Sequence, residues 1–148
     1  MATDRKASVV WQGDLMNGSG TIAPPTSGAL PQLDVSWPSR AEEPNGKTSP
    51  EELIAAAWAS CFAMALSHGL AQGGTAPERL ETSATVTFQP GEGIVRGALS
   101  VVGTVSGMSD DEFREAAETA KANCPVSKAL AGIPDVTLDA RLDGSPNV

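Results

Sequence analysis

The sequence is poor in aromatic and in basic residues. Aromatic side chains make up 4% of its 148 residues, so the core must be built mainly from Ala, Val, Leu, Ile and Met. Lys and Arg number 10 against 18 Asp and Glu, which gives a formal net charge of -8. An acidic surface repels the phosphates of nucleic acids and the headgroups of anionic membranes. We therefore expect neither a nucleic acid nor a membrane as partner.

Histidine and cysteine are also scarce, since the chain has one histidine, His68, and two cysteines, Cys61 and Cys124. A metal site would need a cluster of such ligands, and we expect no metal and no cofactor. The thioredoxin-type CxxC motif is absent. Two cysteines in a reducing compartment are commonly buried as small apolar residues. Composition alone therefore leaves open whether they are structural or reactive.

The N-terminus lacks the pattern of a secretory signal, because residues 1–8 are polar. The longest apolar run covers residues 53–66, is interrupted by Ser60 and is shorter than a bilayer span. These features predict a cytoplasmic protein. The length fits one domain that covers residues 1–148.

The order of predicted elements favours an α+β fold with a mostly antiparallel sheet, because strands and helices do not alternate regularly. Alternating or β-rich patterns predict strands at residues 6–12, 80–88, 94–105 and 136–142. Shorter strand-like pieces lie between residues 21 and 35.

Two helices carry clear start signals. Ser49-Pro50-Glu51-Glu52 predicts a capping box for a helix that ends at Gly73-Gly74, and Ser109-Asp110-Asp111-Glu112 predicts a second one that Cys124-Pro125 breaks. The first helix is apolar on nearly every face, which is typical of a buried helix. Residues 36–49, just before it, are expected to form a long loop, and such loops often carry sites.

Each cysteine has a structural and a functional interpretation. Cys61 lies in the middle of the apolar helix, where burial raises the pKa of a thiol and leaves it inert unless a cation is nearby. Cys124 precedes Pro125 at the expected N-cap of a short helix, a position that favours a thiolate. The alternatives are a packed core cysteine and an ordinary turn residue.

The charged candidates near the helix are Glu51 and Arg40. Glu51 has no capping role and could simply favour the helix dipole, and Arg40 is flanked by Glu42 and Glu43, as in a surface ion pair. Ten residues of helix rise about 15 Å, so Glu51 cannot touch Cys61 of its own helix. If the two share a site, one of them comes from another chain, and a dimer follows.

His68 follows Cys61 by seven residues, on nearly the same helical face. The axial gap is about 10 Å, which is too long for a Cys–His nucleophile pair in one chain. A structural residue near the helix end is the favoured interpretation, and a cysteine protease lacks its base.

Two segments resemble a known family. TSPEELIAAAWASCFAMAL, residues 48–66, resembles the central helix of the OsmC/Ohr peroxidases, and AKANCPVSKAL, residues 120–130, resembles their second cysteine motif. Chain length and element order agree as well, so the resemblance covers the whole chain. It implies an α+β fold that forms an intertwined homodimer, with antiparallel sheets wrapped round two central helices and active sites at the subunit interface.

The resemblance also implies roles for four residues. Cys61 matches the peroxidatic cysteine and Cys124 the resolving one. Arg40 matches the arginine that stabilises the Cys61 thiolate and binds the peroxide, and Glu51 matches the glutamate that orients this arginine. Arg40 lies in the loop before the helix, as in the OsmC branch, whereas residues 17–28, where the Ohr branch has its arginine, contain none.

The implied reaction reduces organic hydroperoxides to alcohols. Cys61 becomes a sulfenic acid, Cys124 condenses with it to a disulfide, and a dithiol, either a lipoylated protein or a small molecule, regenerates both thiols. One alternative is a non-catalytic OsmC-like protein that holds a hydrophobic ligand. A general thiol–disulfide oxidoreductase is less favoured without CxxC. Trp58 stands where a smaller or polar residue is common in the family, so we expect it to narrow the pocket.

Overall fold

The computed structural model describes residues 1–144 of the chain. The chain divides into two compact units, Met1–Leu53 and a second unit that begins at Ile54. The expectation of one domain over residues 1–148 stays a prediction.

The first unit contains a small antiparallel sheet followed by a short helix. Strands β1 (Val9–Gln12), β2 (Ser19–Ile22) and β3 (Leu33–Val35) are ordered β1-β2-β3. Helix α1 (Trp37–Ala41) comes next. The predicted strand at residues 6–12 and the strand-like pieces that follow it are thus confirmed in shortened form.

Helix α1 corrects the expectation that residues 36–49 form a loop throughout. Ser36 caps the helix, because its Oγ accepts a hydrogen bond from the Ser39 N–H at 3.2 Å while the Ser36 N–H donates to Ser39 Oγ at 3.0 Å. This reciprocal pair is a capping box with serine in place of the usual Glu or Gln at the third helical position. Arg40 therefore lies in the last turn of a capped helix.

Helix α2 (Pro50–Gln72) has the bounds that the sequence predicts. The Glu52 N–H donates to Ser49 Oγ at 3.1 Å, so the Ser49 half of the predicted capping box is present. The Glu52 carboxylate instead accepts a hydrogen bond from Thr48 Oγ1 at 2.8 Å. Gly74, just after the helix, has a φ of +91°, a conformation that glycine adopts without the steric cost of a Cβ.

The second unit contains the longer sheet and the remaining helices. Its further elements are β4 (Arg79–Gln89), β5 (Gly93–Thr104), α3 (Asp110–Asn123), α4 (Pro125–Ala129) and β6 (Asp135–Leu142). Strands β4 and β5 form the predicted antiparallel hairpin, whereas β5 and β6 are parallel. A parallel pair needs a crossover connection, which α3 and α4 supply. The α+β class with mostly antiparallel pairing is confirmed.

One face of α2 enters the core of the second unit. The buried side chains of α2 recur every fourth residue, at Trp58, Phe62, Leu66 and Leu70. They pack in one core with Leu99 and Val101 of β5 and with Phe113 and Ala117 of α3. The opposite face is exposed in the single chain, where Met64 has 71% of its surface accessible. The expectation of a helix buried all round is therefore wrong for one chain alone.

Helix α2 is long and apolar enough to cross a membrane by length and composition, the single helix of this kind among residues 1–144. The core helix of a soluble protein passes the same test, so the observation is weak evidence for a span. The helix has 23 residues and is therefore longer than the apolar run at residues 53–66 from which its length was judged.

Candidate active site

The two cysteines lie side by side in the second unit. Cys61 comes from the middle of α2 and Cys124 from the junction between α3 and α4, and their Sγ atoms are 3.0 Å apart. Both are free thiols. A disulfide bond is about 2.05 Å long, so the two sulfurs are in contact without being bonded, and an approach of about 1 Å would join them.

The two sulfurs differ in exposure. Cys124 is fully buried, with 0% of its surface accessible, whereas Cys61 is partly exposed. Burial raises the pKa of Cys61, and the hydrogen bond with the Cys124 sulfur raises it further. This direction agrees with the prediction that Cys61 is inert unless a cation is supplied.

The pKa of Cys124 is lowered. Burial acts to raise it, but the polar groups around the sulfur outweigh that effect, namely the Cys61 thiol, the backbone and side chain of Ser127 and the backbone of Val126. Cys124 forms no side-chain cap hydrogen bond at the start of α4. The direction is the one predicted for a cysteine at this position. Of the two thiols, Cys124 is therefore the one that ionises first.

A side-chain hydrogen bond connects α4, the short helix that follows Cys124, to helix α2. The indole Nε1–H of Trp58 donates to Ser127 Oγ at 2.7 Å, and Ser127 contributes to the lowered pKa of Cys124. Trp58 is 1% exposed. Ser127, which was not predicted from the sequence, lies three residues after Cys124, the N-cap residue of α4.

Arg40 and Glu51 form an ion pair within the first unit. Arg40 Nε lies 3.0 Å and 3.2 Å from the two carboxylate oxygens of Glu51, and Nη2 lies 2.7 Å from Oε1. The Glu51 side chain is 8% exposed and that of Arg40 is 32% exposed. A fork of this kind fixes the plane of the guanidinium group as well as its position.

Arg40 also lines a cavity of about 330 Å³ in the first unit. Apart from Arg40 and Ser36, its lining is apolar and includes Trp11, Ile22 and Leu53. A cationic group at the edge of an apolar cavity suits a ligand with one polar end and a hydrophobic body.

The four residues proposed from the sequence therefore fall into two pairs. Arg40 meets Glu51 in the first unit, and Cys61 meets Cys124 in the second. That Arg40 acts on Cys61 stays a prediction. His68 is exposed on α2 and plays no part in either pair of contacts.

The fold and the contacting thiols define an α+β protein in which two free cysteines lie side by side. Residues 43–139 match the family model described as OsmC-like protein. The chain is 38% identical over 145 residues to peroxiredoxin OsmC of Escherichia coli, an alignment that covers 96% of this chain and 99% of the relative. The chain thus belongs to the OsmC-like family, and the resemblance seen in the sequence is confirmed.

More distant relatives and solved structures agree. The organic hydroperoxide resistance protein OhrA of Bacillus subtilis is 35% identical over 112 residues, or 73% of this chain and 79% of the relative. A crystal structure of an OsmC protein from Legionella pneumophila superposes with a TM-score of 0.67 at 27% identity, covering 92% of this chain and 96% of the other. That of OhrB of Bacillus subtilis gives 0.66 at 27% identity, with 92% and 98% covered. These relatives support thiol-dependent peroxidase activity in the family.

Proposed function

We propose that this chain is a thiol-dependent peroxidase that reduces organic hydroperoxides to alcohols. The observation that carries the proposal is the pair of reduced sulfurs 3.0 Å apart, one partly exposed and one buried. A peroxide can reach the partly exposed Cys61 sulfur, and the buried Cys124 sulfur lies close enough to attack a sulfenic acid formed at Cys61. Membership of a family that includes a peroxiredoxin and organic hydroperoxide resistance proteins supports the same chemistry.

The proposed cycle has three steps. The Cys61 thiolate attacks one peroxide oxygen, the O–O bond breaks, and the alkoxide leaves as the alcohol after taking a proton. The Cys124 thiolate then attacks the sulfur of the Cys61 sulfenic acid, so that an S–S bond forms and water leaves. A dithiol, either a lipoylated protein or a small molecule, reduces this disulfide by two exchange reactions and is itself oxidised to a disulfide.

The first step requires a cation near Cys61, because the surroundings described in the second unit raise the pKa of that thiol. Arg40 is our candidate, with Glu51 as the residue that orients it. The guanidinium would stabilise the thiolate and donate a hydrogen bond to the peroxide. The two pairs would then work as one site, with Glu51 and Arg40 as the electrostatic half and the two thiols as the reacting half.

We further propose a homodimer with the site at the subunit interface. Glu51 and Cys61 are separated by ten residues of one helix, which corresponds to about 15 Å. Arg40, held by Glu51, would therefore act on the Cys61 of the other subunit. The exposed apolar face of α2, with Met64 at 71% accessibility, supports this arrangement because such a face is expected to be covered.

The substrate is proposed to be hydrophobic. The cavity of about 330 Å³ beside Arg40 is mostly apolar, and burial of a hydrocarbon body there favours cumene-type or fatty-acid hydroperoxides over hydrogen peroxide. A reducing compartment keeps both thiols available, and we accordingly propose a cytoplasmic location without a membrane or nucleic acid partner.

The test is turnover of cumene hydroperoxide with dihydrolipoamide as reductant. Cys61→Ser should abolish turnover, because the attacking sulfur is gone. Cys124→Ser should retain the first reduction but accumulate Cys61 sulfinic acid under excess peroxide, since nothing resolves the sulfenic acid; mass spectrometry detects the two added oxygens. Unchanged turnover in Cys61→Ser would contradict the proposal.

The cavity beside Arg40 also favours a second candidate function, a non-catalytic protein that holds a hydrophobic ligand. It predicts no peroxide consumption by the wild type and an increase in Tm with a non-oxidising analogue such as cumyl alcohol. The peroxidase predicts rapid consumption, so one assay separates the two.

A further inference from the structure

Buried polar side chains are concentrated around the ion pair of Arg40 with Glu51. Among residues 1–144, three polar or charged residues are buried, namely Ser39 and Thr48 at 8% exposure each and Glu51 at 6%. All three lie within the first unit. A buried polar group costs free energy unless it is hydrogen-bonded. The hydrogen bonds of Ser39 and Thr48 therefore indicate what holds this region in place.

Thr48 ties the start of α2 to the edge of the first sheet. Its backbone N–H donates to the carbonyl oxygen of Asp34 in β3 at 3.0 Å, and its Oγ1 donates to Glu52 Oε1 in the first turn of α2 at 2.8 Å. Glu52 is exposed, so water could satisfy its carboxylate equally well. The hydroxyl contact therefore acts as a directional tether, and it fixes the turn of α2 from which Glu51 also projects.

Ser39 connects α1 to the same point. Its Oγ belongs to the capping box with Ser36, and its single hydrogen is shared between Ser36 O at 2.9 Å and Thr48 O at 3.4 Å. Helix α1 has five residues, too few for a helix to be stable alone. Residues 42–47, which lead from α1 to Thr48, are all exposed, so burial of this connection cannot hold α1 in place. The side chain of Ser39 supplies a contact that can.

Arg40 and Glu51 are thus each adjacent in sequence to a residue that contacts Thr48. Ser39 precedes Arg40, and Glu52 follows Glu51. The ion pair consists of three hydrogen bonds of 3.0, 3.2 and 2.7 Å. Hydrogen bonds of this length are lost when the groups separate by about 1 Å. The fork therefore persists only if α1 and the start of α2 keep a fixed distance.

We propose that Ser39 and Thr48 are positioning residues for Arg40: their hydroxyls hold α1 against the start of α2, so that the guanidinium meets Glu51 in one orientation at the edge of the apolar cavity. That this orientation assists the reduction of a peroxide rests on the proposed peroxidase function, whereas the effect on the ion pair does not. Packing of the Thr48 methyl group is the competing explanation, and it predicts the opposite ranking of two conservative variants.

The first experiment measures the ion pair without any substrate, by hydrogen exchange of the Arg40 Nε–H in isotope-labelled, reduced protein. This N–H donates to both carboxylate oxygens of Glu51, so it exchanges with water when the pair opens. Its NMR signal is identified by its loss in Arg40→Lys. Thr48→Val removes the hydroxyl and keeps the shape of the side chain. We expect exchange to become about threefold to tenfold faster, the effect of one hydrogen bond.

Matched variants separate the hydroxyl from the methyl group. Thr48→Ser keeps the hydroxyl and should exchange at the wild-type rate, whereas a packing role predicts faster exchange in Thr48→Ser and no change in Thr48→Val. Ser39→Ala should also accelerate exchange, and it provides the test if Thr48→Val does not fold. Ser109→Ala is the control for the loss of a cap, because the Glu112 N–H donates to Ser109 Oγ at 3.2 Å in the second unit, and it should leave Arg40 unchanged. Wild-type exchange in a folded Thr48→Val or Ser39→Ala variant would overturn the proposal, as would equal acceleration in Ser109→Ala.

The second experiment tests whether the positioning contributes to the reaction. Thr48→Val should lower kcat/KM for cumene hydroperoxide by about threefold to tenfold, and it should add little in the Arg40→Lys background, because the hydroxyl acts through Arg40. If the wild type consumes no peroxide, the proposed function fails while the exchange experiment still tests the ion pair. If exchange becomes faster but kcat/KM keeps the wild-type value, or if the two substitutions are additive, the catalytic consequence fails alone.

Discussion

The close approach of Gly97 to Trp58 leads to a quantitative prediction about stability. Gly97 is a buried residue of β5, and a Cβ added to it would lie 2.6 Å and 2.7 Å from the outer ring atoms of Trp58. Real Cβ atoms do not come this close to carbon, so Gly97→Ala must displace either the indole or the strand. Both belong to the core of the second unit, where few voids are available.

The magnitude follows from two opposing effects. Overpacking of a well-packed core costs about 1–3 kcal/mol. Alanine in a strand recovers about 0.5–1 kcal/mol relative to glycine, because it restricts the unfolded chain. The net loss expected for Gly97→Ala is therefore between about 0 and about 2.5 kcal/mol in the free energy of unfolding. Denaturant titration of the reduced protein followed by circular dichroism measures it.

A double-mutant cycle assigns the cost to the indole. The phenyl ring of Trp58→Phe is smaller than the indole and lacks its outer atoms, so Gly97→Ala should be stabilising by about 0.5–1 kcal/mol in that background, with a coupling energy of about 1–3 kcal/mol. Gly103→Ala is the matched control: its Cβ would lie 2.5 Å from the Phe113 ring, so it should destabilise both backgrounds equally. An equal cost of Gly97→Ala in the wild type and in Trp58→Phe would show that the indole is not the group displaced.

Two further predictions concern charge. Glu51→Gln should lower kcat/KM for cumene hydroperoxide by about 10- to 100-fold, because a charge-assisted hydrogen bond contributes about 1.5–3 kcal/mol. Lys47 is exposed, and the control variant Lys47→Gln should leave kcat/KM unchanged. Equal losses in the two variants would contradict the role of the ion pair. The thiol pair should contribute most to the free energy of unfolding near pH 9.0, the ordinary pKa of a thiol. Below pH 9.0, Cys124 loses its proton in the folded state before it does so in the unfolded state, because its pKa is lowered, so stability rises with pH. Above pH 9.0, Cys61 keeps its proton longer in the folded state, because its pKa is raised, so stability falls with pH. The measurement is the difference in the free energy of unfolding between the reduced wild type and the variant lacking both thiols, and a difference independent of pH would contradict it.

Local sequence signals predicted most of the elements. Ser49 and Ser109 identified the starts of α2 and α3, and the box of Ser109 with Glu112 is complete in the structure. These signals succeed because a cap is formed by residues three positions apart. Helix α1 was not predicted, because the third helical position of its capping box is Ser39 and not the usual Glu or Gln.

Nonlocal contacts could not be predicted in the same way. The parallel pairing of β5 with β6, the contact of Cys61 with Cys124 and the hydrogen bond from Trp58 to Ser127 join positions 39 to 69 residues apart. Their geometry depends on how the core packs rather than on any short pattern. For the two thiols, it was the family resemblance that supplied the pairing, while helix rise alone indicated only that Glu51 and Cys61 are far apart.

The unequal exposure of the two sulfurs also decides how the proposed disulfide would be reduced. A dithiol must attack a sulfur in line with the S–S bond, and Cys124 is 0% exposed whereas Cys61 is partly exposed. Attack at Cys61 makes Cys124 the leaving group, and a thiol of lower pKa leaves faster. The effects of Ser127 and Val126, which lower the pKa of Cys124 and do not depend on the Cys61 thiol, would therefore assist both its attack on the sulfenic acid and its departure during recycling. In this proposed cycle Cys61 reacts with both the peroxide and the dithiol, while Cys124 reacts only with Cys61.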